Sequence, residues 1–195
     1  MSKRKNSADS RNDILDAAQR VVAREGAANL TLDAVAKESG FSKGGLLYNF
    51  PSKEALIQGM LQRLIDNVEP QMNEYRDSLA GQPNPTLRAI IECIRCEAVI
   101  DRNISMAILA AGAQNPQLLD PLRQRYDQHY KDILQETDDP DLSLLLWAAA
   151  DGLMFMSLLD MTPFPAEDAE RLMQRLRHMA SIRHEKNVIT DNIVS

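Results

Sequence analysis

The sequence has few cysteines, no long apolar run and no secretory signal. Its 195 residues include two cysteines, Cys93 and Cys96, which are too few for a disulfide framework. No stretch reaches about 18 consecutive apolar residues, so a transmembrane helix is not expected. The charged N-terminus is not followed by the apolar segment of a secretory signal. These absences predict a cytoplasmic protein.

The sequence also lacks the motifs of common enzyme mechanisms. It contains no G-x-S-x-G, no H-E-x-x-H, no phosphate-binding loop and no suitably spaced pair of carboxylates. Cys93 and Cys96 form a C-x-x-C, which leaves three interpretations: buried small apolar residues, a thiol sensor or a metal site. The helical pattern around them favours the first. We therefore predict no enzyme, no metal and no cofactor.

Charge is distributed unevenly along the chain. The net charge of -6 argues at first against a nucleic-acid partner. However, residues 1–53 hold 9 Lys/Arg and 6 Asp/Glu, whereas residues 54–195 hold 13 and 22. Contacts with phosphates are therefore expected from the basic head. Residues 1–8 are either a frayed terminus or an arm that reaches DNA.

Hydrophobic periodicity predicts an all-α fold. Apolar residues recur at helical spacing, and no stretch alternates with a period of two. Pro70 lies inside the fourth predicted helix and is expected to kink or end it. Residues 81–85 (GQPNP) read as a linker, and the tail from residue 184 as loose. About nine helices are predicted, at 10–25, 31–39, 42–49, 52–79, 86–101, 104–113, 117–135, 141–161 and 166–183.

Residues 31–50, TLDAVAKESGFSKGGLLYNF, predict two short helices joined by a tight turn. Thr31 and Ser42 are preferred N-cap residues, and Gly44 and Gly45 occupy the first turn of the second helix. Each glycine costs about 1 kcal/mol of helix stability relative to alanine. The glycines suggest that this backbone comes very close to a partner, for which DNA is the best candidate. The alternative is a loosened surface helix.

Residues 10–60 resemble the DNA-binding domain of the TetR/AcrR family of bacterial transcriptional regulators. The matching strings are ILDAA at 14–18, TLDAVA at 31–36, SGFSKG at 39–44 and FPSKEAL at 50–56. The resemblance implies a helix-turn-helix domain over residues 8–68, with its motif at 31–50. It also implies an effector-binding and dimerisation domain over residues 69–195. The chain departs from the family pattern at Gly45, where threonine is frequent, and at Leu47, which leaves Tyr48 as the sole aromatic before Phe50.

In a helix-turn-helix, the second helix enters the major groove with its N-terminal residues at the base edges. Lys43 is expected to donate to guanine or to a phosphate, while the two glycines let the backbone approach. Tyr48 and Asn49 are interpreted as phosphate or base-edge contacts, and Lys53 as part of an anion site. The candidate DNA-binding residues are Thr31, Ser42, Lys43, Gly44, Gly45, Tyr48, Asn49 and Lys53.

The segment 142–161 is apolar around most of its circumference and is expected to be buried on nearly every side. Together with Leu172, Leu176 and Met179 of the last helix, it is the natural dimer face, since family members dimerise in this way. The alternative is that both helices complete the core of a monomer.

The acidic C-terminal half contains aromatic, methionine and aspartate side chains within apolar helices. By residue type alone they read as plain core, but the family resemblance favours an effector cavity. Methionine suits adaptable pockets, and a buried aspartate needs a partner, which a cationic lipophilic ligand supplies. A structural role for Asp151, beside Gly152, is equally open. The candidate effector residues are Tyr126, Trp147, Asp151, Met154 and Phe155.

The predicted function is a homodimeric transcriptional repressor that binds a palindromic double-stranded operator and is released by a small-molecule effector, with Pro70 as a candidate hinge. The alternative from another class is an all-α small-molecule-binding protein or enzyme with a helix-turn-helix-like head. A third hypothesis is a constitutive DNA binder with a solid core in place of a pocket.

Overall fold

The computed structural model describes residues 7–26, 29–96 and 102–183. Over these ranges the chain is helical throughout and has no strand, which confirms the all-α prediction. Of the N-terminal segment 1–8, residues 1–6 lie outside the described residues and the last two belong to the first helix; the tail at 184–195 also lies outside. The helices are α1 (Ser7–Glu25), α2 (Leu32–Ser39), α3 (Lys43–Asn49), α4 (Lys53–Ser78), α5 (Pro85–Arg95), α6 (Arg102–Gln114), a 3-10 helix (Pro116–Leu119), α7 (Asp120–Glu136), α8 (Pro140–Leu158) and α9 (Ala166–Ser181).

Local capping chemistry sets the helix ends in the N-terminal part. The side-chain oxygens of Thr31, Ser42 and Ser52 each accept a hydrogen bond of 3.1 Å from the backbone N–H three residues further on. Gly26 (φ 81°) follows α1, and Gly40 (φ 74°) follows α2, both in the left-handed region that glycine tolerates best. The N-caps predicted at Thr31 and Ser42 are therefore confirmed.

The structure shows how the chain continues at Pro70 and where the fifth predicted helix ends. α4 continues through Pro70 to Ser78, so the helix does not end at the proline. A proline removes one backbone hydrogen bond. Apolar side chains of the helix are buried on both sides of it, Met60 and Leu61 before Pro70 and Met72 after it. α5 ends earlier than predicted, at Arg95, where the Cys96 N–H donates to the Glu92 carbonyl at 3.0 Å.

The first compact unit comprises the described residues of Met1–Val68 and Ala98–Arg125. The sequence prediction assigned residues 98–125 to the second domain, whereas α6 and the 3-10 helix pack into the same apolar cluster as α1 to α4. The functional division at residue 68 stays a prediction. The buried cluster includes Ile14, Leu15, Val21, Val35, Leu46, Phe50, Leu56, Met60, Ile104, Ala107, Ile108 and Leu118.

The second unit comprises the described residues of Glu69–Glu97 and Tyr126–Ser195. The start of α5 is held by the end of α7, because the Glu136 carboxylate accepts hydrogen bonds of 2.8 Å from both the backbone N–H and the hydroxyl of Thr86. Asn84 donates to the Ala180 carbonyl at the end of α9, at 3.0 Å. The core of this unit consists of Met72, Leu87, Ala89, Ile90, Ile91, Ile94, Ile133, Leu146, Ala150, Met173 and Ala180.

α8 is not buried on nearly every side, contrary to the prediction. Only 17% of its apolar window is buried, and Leu145 is 66% exposed. With 19 residues and a mean hydropathy of 1.4, α8 has the length and composition of a membrane span, although Asp141 and Asp151 lie within it. An apolar helix that the rest of the chain leaves uncovered is also typical of a surface that binds another protein.

Candidate nucleic-acid interface and effector site

α3 is anchored from behind by two buried side chains, Leu46 and Phe50. Arg11 of α1 supports its C-terminal end. The Arg11 guanidinium lies 4.2 Å from the centre of the Phe50 ring, and its Nη1 donates to the Asn49 carbonyl at 3.2 Å. Arg11 is not among the site residues predicted from the sequence; the signal for it was its position one helical turn before the buried Leu15.

Ion pairs tie both α2 and α4 to α1. Glu38 of α2 accepts from Arg20 and from Arg24 of α1, both at 2.8 Å, and the bond from Arg20 is the main reason that the pKa of Glu38 is lowered. Arg63 of α4 pairs with Asp16 of α1 at 2.6 Å. These contacts hold α2 and α4 against the helix that supports α3.

Tyr48 projects from α3 into solvent and is 84% exposed, more than any other large apolar side chain in the described residues. Burying an aromatic ring is normally favourable, so a ring left outside the core is available to a partner. Asn49 differs, because it is half-buried and its amide donates to the Gly45 carbonyl at 3.0 Å. Of Tyr48 and Asn49, Tyr48 is therefore the side chain that α3 exposes to a partner.

Gly44 and Gly45 have different environments. A Cβ placed on Gly44 would have nothing within 4 Å. A Cβ on Gly45 would lie 3.3 Å from the Ser42 Oγ and 3.7 Å from the Phe41 ring. The capping contact thus supplies a structural reason for Gly45, whereas the folded chain supplies none for Gly44.

Lys43, the first residue of α3, pairs with Asp33 in the first turn of α2. The Lys43 Nζ lies 2.9 Å from the Asp33 Oδ1, and both side chains are exposed. Asp33 is not among the DNA-binding residues predicted from the sequence. Lys53 is the half-exposed first residue of α4, directly after the Ser52 cap.

A second cluster of candidate residues lies where α7 and α8 meet. The ring centroids of Tyr126 and Trp147 are 5.3 Å apart, and His129 meets Trp147 edge-on at 6.2 Å. Tyr126 is hydrogen-bonded to the Asp151 carboxyl. Burial raises the pKa of Asp151, although the bond from Tyr126 partly offsets this, and burial together with the nearby Asp151 raises the pKa of Tyr126. His129 is not among the effector residues predicted from the sequence.

The other candidate effector residues lie outside this ring cluster. Met154 packs against the apolar core of the second unit, and Phe155 is half-buried further along α8. Two surface cavities of the described residues involve none of the five candidates. One, of about 50 Å³, lies beside Asn84 and Glu136, and the other, of about 420 Å³, lies beside Arg11 and Phe50.

The proposed dimer residues are only partly exposed. Leu172 faces solvent, whereas Leu176 and Met179 are half-buried against the core of the second unit. The larger apolar surface is on α8 and the turn after it, in residues that the sequence analysis did not select individually. These exposed side chains are Leu145, Met156, Leu159 and Met161.

Cys93 is half-buried and Cys96 is exposed, so the interpretation of both as buried apolar residues is wrong for Cys96. The Cys96 Sγ lies 3.7 Å from the Glu92 Oε1. Among the described residues, no group of three side chains is arranged to hold a metal ion.

The two short helices α2 and α3, joined by a tight turn and with an exposed aromatic on the second, form a helix-turn-helix motif. Residues 14–60 match the family described as "Bacterial regulatory proteins, tetR family", and residues 84–181 match "Tetracyclin repressor-like, C-terminal domain". The latter match alone covers half of the chain. The chain therefore belongs to the TetR family of DNA-binding regulators of transcription.

Two curated relatives come from Escherichia coli K12. The transcriptional regulator UidR is 28% identical over 118 residues, 60% of this chain and 58% of UidR. RutR is 34% identical over 115 residues, 56% of this chain and 51% of RutR. The aligned part thus spans little more than half of each relative. The structure of the multidrug binding protein EbrR complexed with ethidium shares the fold, with a TM-score of 0.64, 23% identity, and coverage of 90% of this chain and 99% of EbrR.

Proposed function

We propose that this protein is a cytoplasmic, homodimeric repressor that binds a palindromic operator and is released by a small-molecule effector, without catalytic activity of its own. The observation that carries the proposal is the surface of α3. Tyr48 is exposed, Gly44 is open, and the buried Leu46 and Phe50 fix the helix from behind. A rigid helix with an accessible first turn is what the major groove accepts.

Within this interface the proposed roles follow from side-chain chemistry. Lys43 reads a base edge, and Gly44 allows close approach of the backbone. Tyr48 and Lys53 donate to phosphates, which position the protein without reading sequence. The remaining proposed contacts are made by the exposed or half-exposed positions Thr31, Ser42, Gly45 and Asn49.

The homodimer is proposed to form through α8 and α9. Two exposed apolar regions support this dimer interface. One is the surface of α8 that includes Leu145, and the other is Leu172 on α9. A patch of this kind is costly to leave in water. A two-fold dimer also presents two copies of α3 to the two half-sites of a palindrome.

The effector is proposed to be an aromatic cation that binds at Tyr126, Trp147 and Asp151. Aromatic faces and a carboxylate attract a cation. Burial disfavours the charged form of Asp151, and the hydrogen bond from Tyr126 offsets this only in part. Ethidium, the ligand of the EbrR complex, is a cation of this class. Bound effector is proposed to favour a state that no longer fits the operator, with Pro70 of α4 retained as the proposed hinge.

A gel shift with the DNA upstream of the protein's own gene tests DNA binding. We expect a specific complex whose log affinity falls linearly with log salt, at about 0.9 per phosphate neutralised. A scrambled duplex of equal length is the control. Absence of specific, salt-sensitive binding at this DNA and at neighbouring promoters would favour a small-molecule-binding protein instead.

Thermal unfolding tests the effector class. Ethidium and tetraphenylphosphonium are expected to raise the melting temperature of the native protein and to have less effect on Asp151→Asn. An anionic aromatic of similar size, anilinonaphthalene sulfonate, serves as the comparison. A larger shift with the anion, or equal shifts for the native protein and Asp151→Asn, contradicts a cationic effector at this cluster.

A further inference from the structure

We propose that Asp33 and Lys43 act together as the reader of a single G·C base pair in each half-site. Asp33 is then a specificity-determining residue contributed by α2 rather than by the recognition helix. This inference rests on the proposed entry of α3 into the major groove. It adds a second residue and a defined base pair to that contact.

Lys43 and Asp33 form an ion pair on an accessible surface. The Lys43 Nζ and Asp33 Oδ1 are 2.9 Å apart, while the two side chains keep 65% and 74% of their exposure. Lys43 is the sole charged residue in the sequence of α3, KGGLLYN. One charged donor and one charged acceptor therefore lie side by side at the end of the helix that would meet the bases.

This arrangement matches the major-groove edge of a G·C pair. Guanine presents two acceptors there, N7 and O6, and cytosine presents the N4 amino donor. Because O6 and N4 are hydrogen-bonded to each other, they lie about 2.9 Å apart, as do Nζ and Oδ1. The ammonium of Lys43 has three donors, so it can bind Asp33 and both guanine acceptors. The Asp33 carboxylate can accept from Lys43 and from cytosine at once.

An A·T pair fits less well. Its major-groove edge has one acceptor on either side of the adenine amino group, and the thymine methyl lies beside one of them. A Lys43 ammonium that stays paired with Asp33 therefore reaches one acceptor of an A·T pair, whereas it reaches two acceptors of a G·C pair. With the ion pair intact, the G·C pair thus offers two acceptors to Lys43 and one donor to Asp33, one acceptor more than Lys43 reaches on an A·T pair.

Asp33 also disfavours binding to other sequences. Its charge neutralises Lys43 in the free protein and repels phosphates, which reduces the sequence-independent attraction that Lys43 alone would give. Where the groove offers no amino group beside Asp33, the carboxylate faces the acceptors and phosphates of the DNA with only Lys43 as a compensating donor. Specificity often depends on such a penalty against the wrong partner.

Selection of preferred duplexes from a randomised pool by the full-length protein tests this. Asp33→Asn is expected to lose the preference for one G·C pair per half-site, a discrimination of roughly 5- to 150-fold, and to bind scrambled DNA more tightly. Lys43→Ala is expected to lose the preference at the same base pair. Asp66→Asn, an equal charge change at an exposed position of α4, is expected to keep the native preferences.

Three results would overturn the inference. The first is that Asp33→Asn keeps every preference of the native protein. The second is that Asp33→Asn and Lys43→Ala lose preferences at different base pairs. The third is that the base pair at which both lose their preference is A·T. If the native protein selects no preferred sequence, the result contradicts the proposed function, sequence-specific DNA binding by α3, and can be told apart from the three results above. Circular dichroism checks the fold of each variant, and Lys43→Gln replaces Lys43→Ala should the latter lose helix.

Discussion

Gly59 of α4 lies directly against the ring of Phe50, the residue that ends the recognition helix. A Cβ on Gly59 would lie 2.6 Å from Phe50 Cε1 and 3.3 Å from a methyl carbon of Leu15. Phe50 is fully buried and also lies under the Arg11 guanidinium. The absence of a side chain at residue 59 therefore allows α4 to hold Phe50, and with it the C-terminal end of α3.

Gly59→Ala is expected to destabilise the protein by about 1–3 kcal/mol, because an added methyl group overpacks a core whose neighbours cannot easily move. Urea unfolding followed by circular dichroism measures this change. Gly152→Ala is the matched control, since a Cβ at this helical glycine of α8 has nothing within 4 Å. Equal stability of Gly59→Ala and the native protein would show that Phe50 has room to shift.

Gly44→Ala is expected to separate folding from DNA binding. The added Cβ meets nothing in the folded chain, so stability should be unchanged or higher by up to about 1 kcal/mol, the usual advantage of alanine in a helix. If the backbone approaches DNA closely at this point, operator affinity should fall at least about tenfold, or 1.4 kcal/mol. Unfolding and fluorescence anisotropy on the same preparation check both effects. Unchanged affinity would leave Gly44 without a role in the interface.

Local signals made much of this structure predictable from sequence. The caps at Thr31, Ser42 and Ser52 and the stop at Gly26 depend on residues within one helical turn, and the period of 3.6 identifies helices directly. The location of α6 in the first compact unit depends on long-range packing, which periodicity does not encode.

The residues of the candidate site were likewise predictable only where a local motif contains them. Tyr48, Lys43 and the glycines follow from an ordered motif. The pairing of Lys43 with Asp33 and the position of His129 beside Trp147 join residues from different helices, so no local pattern reports them. Likewise, the exposure of α8 depends on which surface covers it, whereas its sequence records only that the helix is apolar.

Tyr48→Phe is expected to weaken binding to operator and scrambled DNA alike, by about fivefold, the value of one hydrogen bond of about 1 kcal/mol. The reason is that the exposed hydroxyl is assigned to a phosphate, which carries no sequence information. Anisotropy titrations with both duplexes measure the effect, with the exposed Tyr130→Phe in α7 as control. A loss confined to the operator would reassign Tyr48 to a base.

Leu145→Glu is expected to dissociate the proposed dimer. It places a charge at the most exposed leucine of α8, and an interface anchor is worth about 2 kcal/mol or more, which corresponds to at least about 30-fold in the dimer dissociation constant. Sedimentation velocity over a concentration series measures this constant, and circular dichroism checks helix content. Leu134→Glu in α7, also partly exposed, is the control. An unaltered dimer would place the interface elsewhere.

Asp151→Asn is expected to change how stability depends on pH. Burial raises the pKa of Asp151 in the folded state, so the folded protein holds this proton more tightly than the unfolded chain does. The stability contributed by this carboxyl is full below the unfolded pKa, about 3.9, and is lost as the pH rises through the higher folded pKa.

The asparagine resembles the protonated acid and can still accept the Tyr126 hydrogen bond. Asp151→Asn should therefore be more stable than the native protein at pH 7 and approach it towards pH 4. Urea midpoints between pH 4 and pH 8 measure the difference, with Asp127→Asn, an exposed residue of α7, as the control. A native protein more stable than Asp151→Asn at pH 7 would mean that a positive group stabilises the carboxylate, and the site would then have no unpaired charge to offer a cationic effector.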